Sequence, residues 1–479
     1  MAFACIGEFA ITEADTSAFA DLSGDFNPVH IDATAARRLL FGSAVPHGIH
    51  VLLSGLDIIL RESSHAIRLN SLQAVFSAPA NHGEPLTIKC NEKSGELLNL
   101  TIRQQGQEIQ RISIGVIEGD AAKEIAISDA PVPRSVPRSF TLADANGLVG
   151  SFGLAIDRRR LGWLFPSLAR LLPASQLAVL LASTRIVGME CPGLRSIFAD
   201  LTLRFETSAP DSTMRFRTIR ADPRLSVVRI GLHGGGASGE ITALFRPDPV
   251  TQPSAADIAH QVRKNEFAGQ HALVIGGSRG LGEVTAKLLA LGGAEVAITF
   301  FRGREDAIQV TQDIVANGGR CRFFQFDVVR PLQELSDEQL LSDFRPTHLY
   351  FFATPPIQLV KGQPFSKARF YRFCDYYVSG LADVVSSIYR LFPSGGTPLA
   401  LLYPSTMFLD KPPSGAAEYS AAKAAGEILC QTLARTRPGL RVACPRLPTL
   451  RTDQTNSLHS KNNVDRTVPV LLEVLRKFH

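Results

Sequence analysis

At 479 residues the chain is too long for a single core, and two to four domains are expected. Hydrophobic content of 45% with 20% charged residues is that of a soluble globular protein. The net charge of +5 is spread without blocks of like charge, which argues against nucleic acid as a partner and only weakly favours anionic small molecules or acidic carriers. No apolar run reaches the about 18 residues of a membrane span, and Met1 to Glu13 lacks the basic start of a signal peptide. Seven cysteines with no C-x-x-C pair suit reduced thiols in the cytoplasm.

Taken in order, Glu13 to Leu22 reads as a helix with Thr12 as N-cap and Asp15 at its third position, Phe19 and Leu22 facing inward. Ser23-Gly24-Asp25-Phe26-Asn27-Pro28-Val29-His30 follows. Asn-Pro breaks a helix, so an irregular loop is expected, presenting Asp25 and His30 without burying them in a regular element. A carboxylate beside an imidazole is the minimum for moving protons near neutral pH. Taken alone, the segment reads more simply as an Asx-turn with a surface histidine. Asp32 to Leu40 is a helical patch, and Pro46-His47-Gly48 opens an apolar helix, Ile49 to Leu60. The period then changes to two. Ile67–Phe76, Glu84–Asn91, Leu97–Gln104 and Glu108–Ile117 read as strands of one antiparallel sheet wrapped around that helix.

The run from Phe19 through Gly48 (FADLSGDFNPVHIDATAARRLLFGSAVPHG) resembles the MaoC-like, R-specific enoyl-thioester hydratases of the hotdog fold. The resemblance implies that Asp25 and His30 are the catalytic pair, that Asn27 helps order the loop, and that the backbone N–H near Gly48 polarises the thioester carbonyl. The chemistry is coherent with those residues. Dehydrating a 3-hydroxyacyl thioester needs a proton taken from C2, a proton given to the leaving hydroxyl, and a stabilised enolate. Two proton carriers and the amides of a helix N-terminus supply these. His47 reads as a structural hydrogen-bonder, and His50 and His65 have no assigned role.

Gly119 to Ser139, with three prolines, reads as a connector. Arg160 to Leu181 is helical and Leu-rich. Arg185–Val187, Phe198–Glu206, Thr213–Ile219, Ser226–Leu232 and Glu240–Phe245 read as strands. Helix then antiparallel strands repeats the first pattern, so a second hotdog-like half over 140–250 is expected beside the first, 1–125. It has no D-x-N-P-x-H and is expected to be catalytically silent. This resembles the α+β double-hotdog arrangement, in which such a half shapes the acyl tunnel. Asp248 to Gln261 is a second linker.

From about 266 to 479 strands and helices alternate, as in an α/β Rossmann domain with a doubly wound parallel sheet. His271–Ile275 is a buried strand, and Gly276-Gly277-Ser278-Arg279-Gly280-Leu281-Gly282 leads into a helix reaching Leu291. Ala294–Phe300 is the next strand. A glycine-rich strand-to-helix turn lets a pyrophosphate approach the backbone and the helix N-terminus. The spacing is similar to that of short-chain dehydrogenase/reductases, as is the pair Tyr419 and Lys423 in E-Y-S-A-A-K. Three intervening residues put both on one helical face, where Lys423 is expected to lower the Tyr419 phenol pKa. The resemblance implies Tyr419 as the acid, Ser405 as the substrate-orienting serine with Thr406 as the alternative, and Asp327 as an adenine contact. Arg302, after the second strand, and Arg279 favour the 2′-phosphate of NADPH.

Two positions depart from that family. Phe352-Ala353-Thr354-Pro355 replaces its N-N-A-G segment, and Tyr377 stands where a water-holding asparagine is expected. The reading as a whole is a bifunctional enzyme of fatty-acid or polyketide-type chain processing, an NADPH-dependent 3-oxoacyl-thioester reductase and (3R)-hydroxyacyl-thioester dehydratase. An acyl carrier protein or CoA thioester is the expected substrate and a homodimer the expected assembly, with no nucleic acid, membrane or metal. Two alternatives stand beside it: a hotdog dehydratase with an impaired reductase-like domain, and a non-catalytic carrier-docking module.

Overall fold

The structure is a computed structural model that describes residues 6–94, 97–118, 125–206, 211–329, 344–357, 359, 365–392, 398–456 and 465–479. The chain divides between Asp248 and Pro249 into two units.

The first unit is built on one antiparallel sheet. Its strands are β1 (Ile6–Phe9), β2 (Ile67–Phe76), β3 (Leu86–Ser94), β4 (Leu97–Gln104), β5 (Gln107–Glu118), β6 (Val149–Gly153), β7 (Ser196–Phe205), β8 (Thr213–Asp222), β9 (Val227–Gly234) and β10 (Ala237–Phe245). Their order is β1-β3-β4-β5-β2-β7-β10-β9-β8-β6. Read outward from the β2–β7 seam, the two halves repeat one order, so β1 to β5 correspond to β6 to β10. At the seam Leu72 pairs with Leu203 and Ala74 with Leu201. Alternation of buried and exposed residues along β4 and β9 puts one face of the sheet on the core.

Each half packs an apolar helix on that face. Gly48–Ile59 buries residues all round, Ile49, Leu52 and Leu56 among them, as does Ala174–Arg185 with Leu177, Leu180 and Leu181. Gln176, on the second of these, bonds both the N–H and C=O of Leu69, at 2.8 and 2.7 Å, where the register of β2 shifts. A buried amide thus satisfies backbone groups that the bulge frees.

Several expectations are corrected here. Arg185–Val187 is not a strand: the helix runs through Arg185 and continues as a π-turn, Ile186–Glu190. Its short β-branched run, Ile186 and Val187, is buried in the core, where packing overrides strand propensity. The helical stretch from Arg160 to Leu181 is three helices, Arg158–Leu164, Pro166–Leu171 and Ala174–Arg185, divided at Pro166 and Pro173. Helix in Asp32–Leu40 is confined to Ala33–Ala36. The first helix, Glu13–Ser23, carries the expected Thr12–Asp15 capping box and ends at Gly24 in the left-handed region, φ 75°.

The second unit has a parallel sheet. Its strands are β11 (His271–Ile275), β12 (Glu295–Phe300), β13 (Arg320–Gln325), β14 (His348–Phe351), β15 (Leu399–Leu402) and, after the short β16 (Ser405–Thr406), β17 (Leu440–Ala443). The order β13-β12-β11-β14-β15-β17 reverses between β11 and β14, the crevice where open α/β sheets bind ligands. The β16 strand pairs separately with β18 (Arg446–Leu447). Among the described residues no helix is long and apolar enough to cross a membrane.

Candidate active sites

The first site gathers around Asp25. Asn27 accepts from Val29 N through its side chain and caps a four-residue helix, Pro28–Ile31, with Pro28 at its first position. The Asn-Pro step therefore starts a helical turn, and Asp25 is buried, at 2% exposure, with His30 half-buried. The expected open loop is corrected on both points. The cause is the Asn27 amide, which donates to Gly188 O at 3.1 Å, Gly193 O at 2.9 Å and Ser196 Oγ at 3.3 Å. Those partners lie in the second half of the unit and pull the loop inside.

A carboxylate oxygen of Asp25 and one ring nitrogen each of His30 and His47 lie within 4.8 Å of one another. His30 Nδ1 donates to Val45 O at 2.7 Å, which leaves Nε2 as the basic nitrogen. His47 Nε2 donates to Asp25 O at 3.0 Å, so that nitrogen carries a proton and offers no lone pair to an ion. Its ring stacks on His30 with centroids 3.8 Å apart. Burial pushes the Asp25 carboxyl above its ordinary value, against the pull of His30, Thr184 and Asn27. Burial pushes His30 down to about 3, helped by His47. His30, neutral above about pH 3, is a proton acceptor, and the raised pKa makes the Asp25 carboxylate the stronger base of the two. Gly48 is the first residue of the helix Gly48–Ile59, where amides lack intrahelical acceptors. A side chain there would press on the Phe76 ring, 2.8 Å from its Cβ.

Sequence reasoning missed Thr184, whose hydroxyl donates to Asp25 Oδ2 at 2.7 Å. It missed Arg246 as well, a buried guanidinium whose charge acts on His30. No local spacing links either to the motif. The one available signal was the repeated helix-then-strands pattern, which places a second half against the first.

The second site lies in the other unit. Gly276 (φ 78°) and Gly280 (φ 60°) take left-handed conformations. A Cβ on Gly276 would stand 2.9 Å from Ala353 N, and one on Gly282 would stand 2.2 Å from Gly276 O. The turn ends at the N-terminus of the helix Gly280–Leu291, with Arg279 as N-cap, Ser278 buried and Leu281 partly buried beside it. This glycine cradle fits a pyrophosphate. The Arg279 guanidinium lies 3.8 Å from Asp453, and exposed Arg302 packs over Phe301. Asp327 accepts from Val329 N, and its charge adds to burial in pushing up the Tyr376 phenol, which Arg372 and Arg302 oppose.

Tyr419 and Lys423 share one face of the helix Ala417–Thr436. Burial pushes the Tyr419 phenol up to about 12 and the Thr406 hydroxyl bonds to it, which pulls the other way. The expected lowering by Lys423 is not what the structure shows. Lys423 is itself buried and pushed down to about 7. Its Nζ donates to Pro404 O at 2.7 Å and sits 4.0 Å from the centre of the Tyr377 ring and 4.6 Å from that of Tyr403. Tyr377, at the position expected for asparagine, bonds Thr354 at 2.5 Å. Ser405 Oγ donates instead to Glu427 Oε1 at 2.5 Å, a carboxylate paired with Arg446. The hydroxyl beside Tyr419 is thus Thr406.

With both geometries in place, residues 6–108 match the family described as MaoC like domain, and residues 270–340 match short chain dehydrogenase. The chain carries a MaoC-like domain toward its N-terminus and a short-chain dehydrogenase domain toward its C-terminus. The antiparallel and parallel sheets agree with a hotdog and a Rossmann-type domain respectively. No curated protein matches the chain at a significant level. Solved structures similar to it include a short chain dehydrogenase from Burkholderia cenocepacia J2315 in complex with NADP, 24% identical over 44% of this chain and 90% of that one, TM-score 0.39. The short chain dehydrogenase from Shigella flexneri is 20% identical over 46% of this chain and 89% of that one, TM-score 0.41. FolM alternative dihydrofolate reductase 1 from Brucella suis, in complex with NADP, is 21% identical over 39% of this chain and 76% of that one, TM-score 0.35.

Proposed function

We propose that this protein is a bifunctional NADPH-dependent 3-oxoacyl-thioester reductase and (3R)-hydroxyacyl-thioester dehydratase of fatty-acid or polyketide-type chain processing. The acyl group is carried as an acyl-carrier-protein or CoA thioester, in a cytoplasmic homodimer. The observation that supports the dehydratase is the grouping of the Asp25 carboxylate and His30 ring. The pair takes the proton from C2 and returns it to the departing C3 hydroxyl, so one water leaves and the pair ends as it began. The amide near Gly48 bears the negative charge that develops on the thioester oxygen. In this reading the repeated strand order reflects a double hotdog with chemistry in the first half alone.

For the reductase, the turn from Gly276 to Gly282 holds the pyrophosphate of NADPH, Arg279 and Arg302 favour its 2′-phosphate, and Asp327 meets the adenine. The bound nicotinamide supplies a hydride to the 3-oxo carbon. Tyr419, protonated at neutral pH, gives its phenolic proton to the carbonyl oxygen, and Thr406 or Ser405 orients that oxygen. The carbonyl becomes the hydroxyl on which Asp25 and His30 act.

The experiment is incubation with a 3-oxoacyl thioester and NADPH, following nicotinamide absorbance and enoyl product together. Both signals are expected, and Asp25→Asn should leave the hydroxyacyl thioester to accumulate. NADPH oxidation with no enoate from the unaltered protein would refute the dehydratase. A second reading has a specific observation behind it: Tyr377 and Tyr403 cover Lys423, and Ser405 is turned to Glu427. The short-chain dehydrogenase domain would then bind NADPH without turnover, and calorimetric binding with no oxidation distinguishes that case.

A further inference from the structure

The second half of the antiparallel unit has no motif of its own, yet it meets Asp25 on two sides. Thr184, near the C-terminal end of the helix Ala174–Arg185, donates its hydroxyl to Asp25 Oδ2 at 2.7 Å and is itself buried. Gly188, in the π-turn that follows, lies so close that a Cβ there would stand 2.0 Å from Asp25 Oδ1. The carboxylate thus accepts the Thr184 hydroxyl at Oδ2 and, at 3.2 Å, the Asn27 N–H at Oδ1, the oxygen that Gly188 encloses. The same turn receives Asn27 Nδ2 at Gly188 O, and the Phe26 N–H points to Met189 Sδ at 3.1 Å. Widening of a helix into a π-turn is frequent at functional sites. Here it brings a bare backbone up to the carboxylate.

We infer that the second half is a positioning element for Asp25, in which the Thr184 hydroxyl fixes the carboxylate and the side-chain-free Gly188 makes the space it occupies. The inference rests on the dehydratase reading for what Asp25 does, though not for how Asp25 is held. The other groups facing the carboxylate are the Asn27 N–H, which donates to Oδ1 at 3.2 Å, His30 on the short helix, and His47, whose Nε2 lies 3.9 Å from Oδ2 at the start of the buried helix. Arg246, after β10, acts on His30, and Arg185 passes beside Gly24 with Glu190 acting on it in turn. Among the described residues, Thr184 is the side chain that donates a hydrogen bond to a carboxylate oxygen of Asp25. A hydroxyl donor favours the ionised acid, so its loss moves protonation of Asp25 to higher pH.

The test compares Thr184→Val, Thr184→Ser and Gly188→Ala in the full chain. Valine keeps the volume and removes the donor, while serine keeps the donor. The first readout needs no activity: the Asp25 carboxyl is titrated by carbon NMR in protein with labelled aspartate, its signal assigned by loss in Asp25→Asn. The midpoint is expected to rise in Thr184→Val and to stay in Thr184→Ser. The second readout is hydration of an enoyl thioester across pH. Thr184→Val is expected to lose about tenfold in kcat/KM at neutral pH, the order expected for one charge-assisted hydrogen bond. Its acid limb should move to higher pH, with serine restoring both. Gly188→Ala should lose activity by displacing the carboxylate. An unchanged carboxyl midpoint in Thr184→Val overturns the inference, as does an equal loss in valine and serine variants. A wild-type protein without hydratase activity defeats the dehydratase reading instead, and the carboxyl titration still decides how Asp25 is held.

Discussion

His47 and His50 are buried imidazoles, and of the two only His47 has a carboxylate oxygen close by, Asp25 Oδ2 at 3.9 Å. They are 0% and 2% exposed, His50 lies flat against Phe19 at 4.6 Å, and the Nδ1 of each has no hydrogen-bond partner among the described groups. Burial pushes both down to about 3 from an ordinary 6.5. The sign of the linkage follows. A histidine with a depressed folded pKa contributes stability that is present above 6.5 and is lost as pH falls toward 3. In that window each makes the stability fall by up to about 1.4 kcal/mol per pH unit. Asp25 runs the other way, because its raised pKa favours the folded state at low pH and the gain is lost as pH rises. Thermal unfolding of the first unit should therefore weaken from pH 7.5 to pH 5, as a prediction of about one histidine's slope or more. His50→Phe, which keeps the stack on Phe19, should flatten the fall, and an identical pH dependence in that variant would show that His50 is not the source.

At the scale of elements, the turn from β11 into the helix Gly280–Leu291 makes the sharpest demand on sequence. A Cβ at Gly282 would meet backbone, Gly276 O at 2.2 Å and Gly277 Cα at 3.1 Å, and backbone cannot swing aside as a side chain can. Gly282→Ala should destabilise the second unit by about 1–3 kcal/mol, as overpacking does, and abolish NADPH binding by opening the turn. Calorimetry and thermal unfolding check the two effects separately. That turn was legible because glycines at fixed spacing state a backbone need directly. The strands β2, β4, β5 and β7 to β10 were legible because alternation survives wherever one face is buried. What escaped was set by partners distant in sequence. The edge strands β1 and β6 are four and five residues long and show no strong pattern. Arg185–Val187 looked like strand because Ile186 and Val187 are β-branched, and the core that buries them is built from segments distant in sequence. The Asp25 loop looked open because Gly188, Gly193 and Ser196, which draw it inside, are some 160 residues away. Ser405 was favoured by resemblance to the family's serine although spacing to Tyr419 left Thr406 open, and resemblance does not register that Glu427 competes for the serine hydroxyl.

For the whole molecule, the relevant property is how the two chemistries are distributed along the chain. The groups that hold and tune Asp25 and His30 are Thr184, Asn27, Val45, His47 and Arg246, all before Asp248. Those that hold Tyr419 and Lys423 are Thr406, Pro404, Tyr377 and Tyr403, all after Pro249. The two sets share no residue, and sites without shared partners respond independently to mutation. Asp25→Asn should therefore leave NADPH oxidation by a 3-oxoacyl thioester within about twofold of wild type. Tyr419→Phe, which removes the phenolic proton and keeps the ring against Phe373 and Tyr377, should in the same way spare hydration of a supplied enoyl thioester. Each variant should also lose its own reaction. If Asp25→Asn slows NADPH oxidation as much as it slows hydration, the reactions are not independent, and the reductase assay has been reading removal of its product. If Tyr419→Phe changes nothing because the wild type never oxidises NADPH, the covered Lys423 explains the result. Tyr377→Asn should then uncover the ammonium and produce measurable oxidation, since it removes the ring that stands 4.0 Å over Nζ while leaving Pro404 O to hold it.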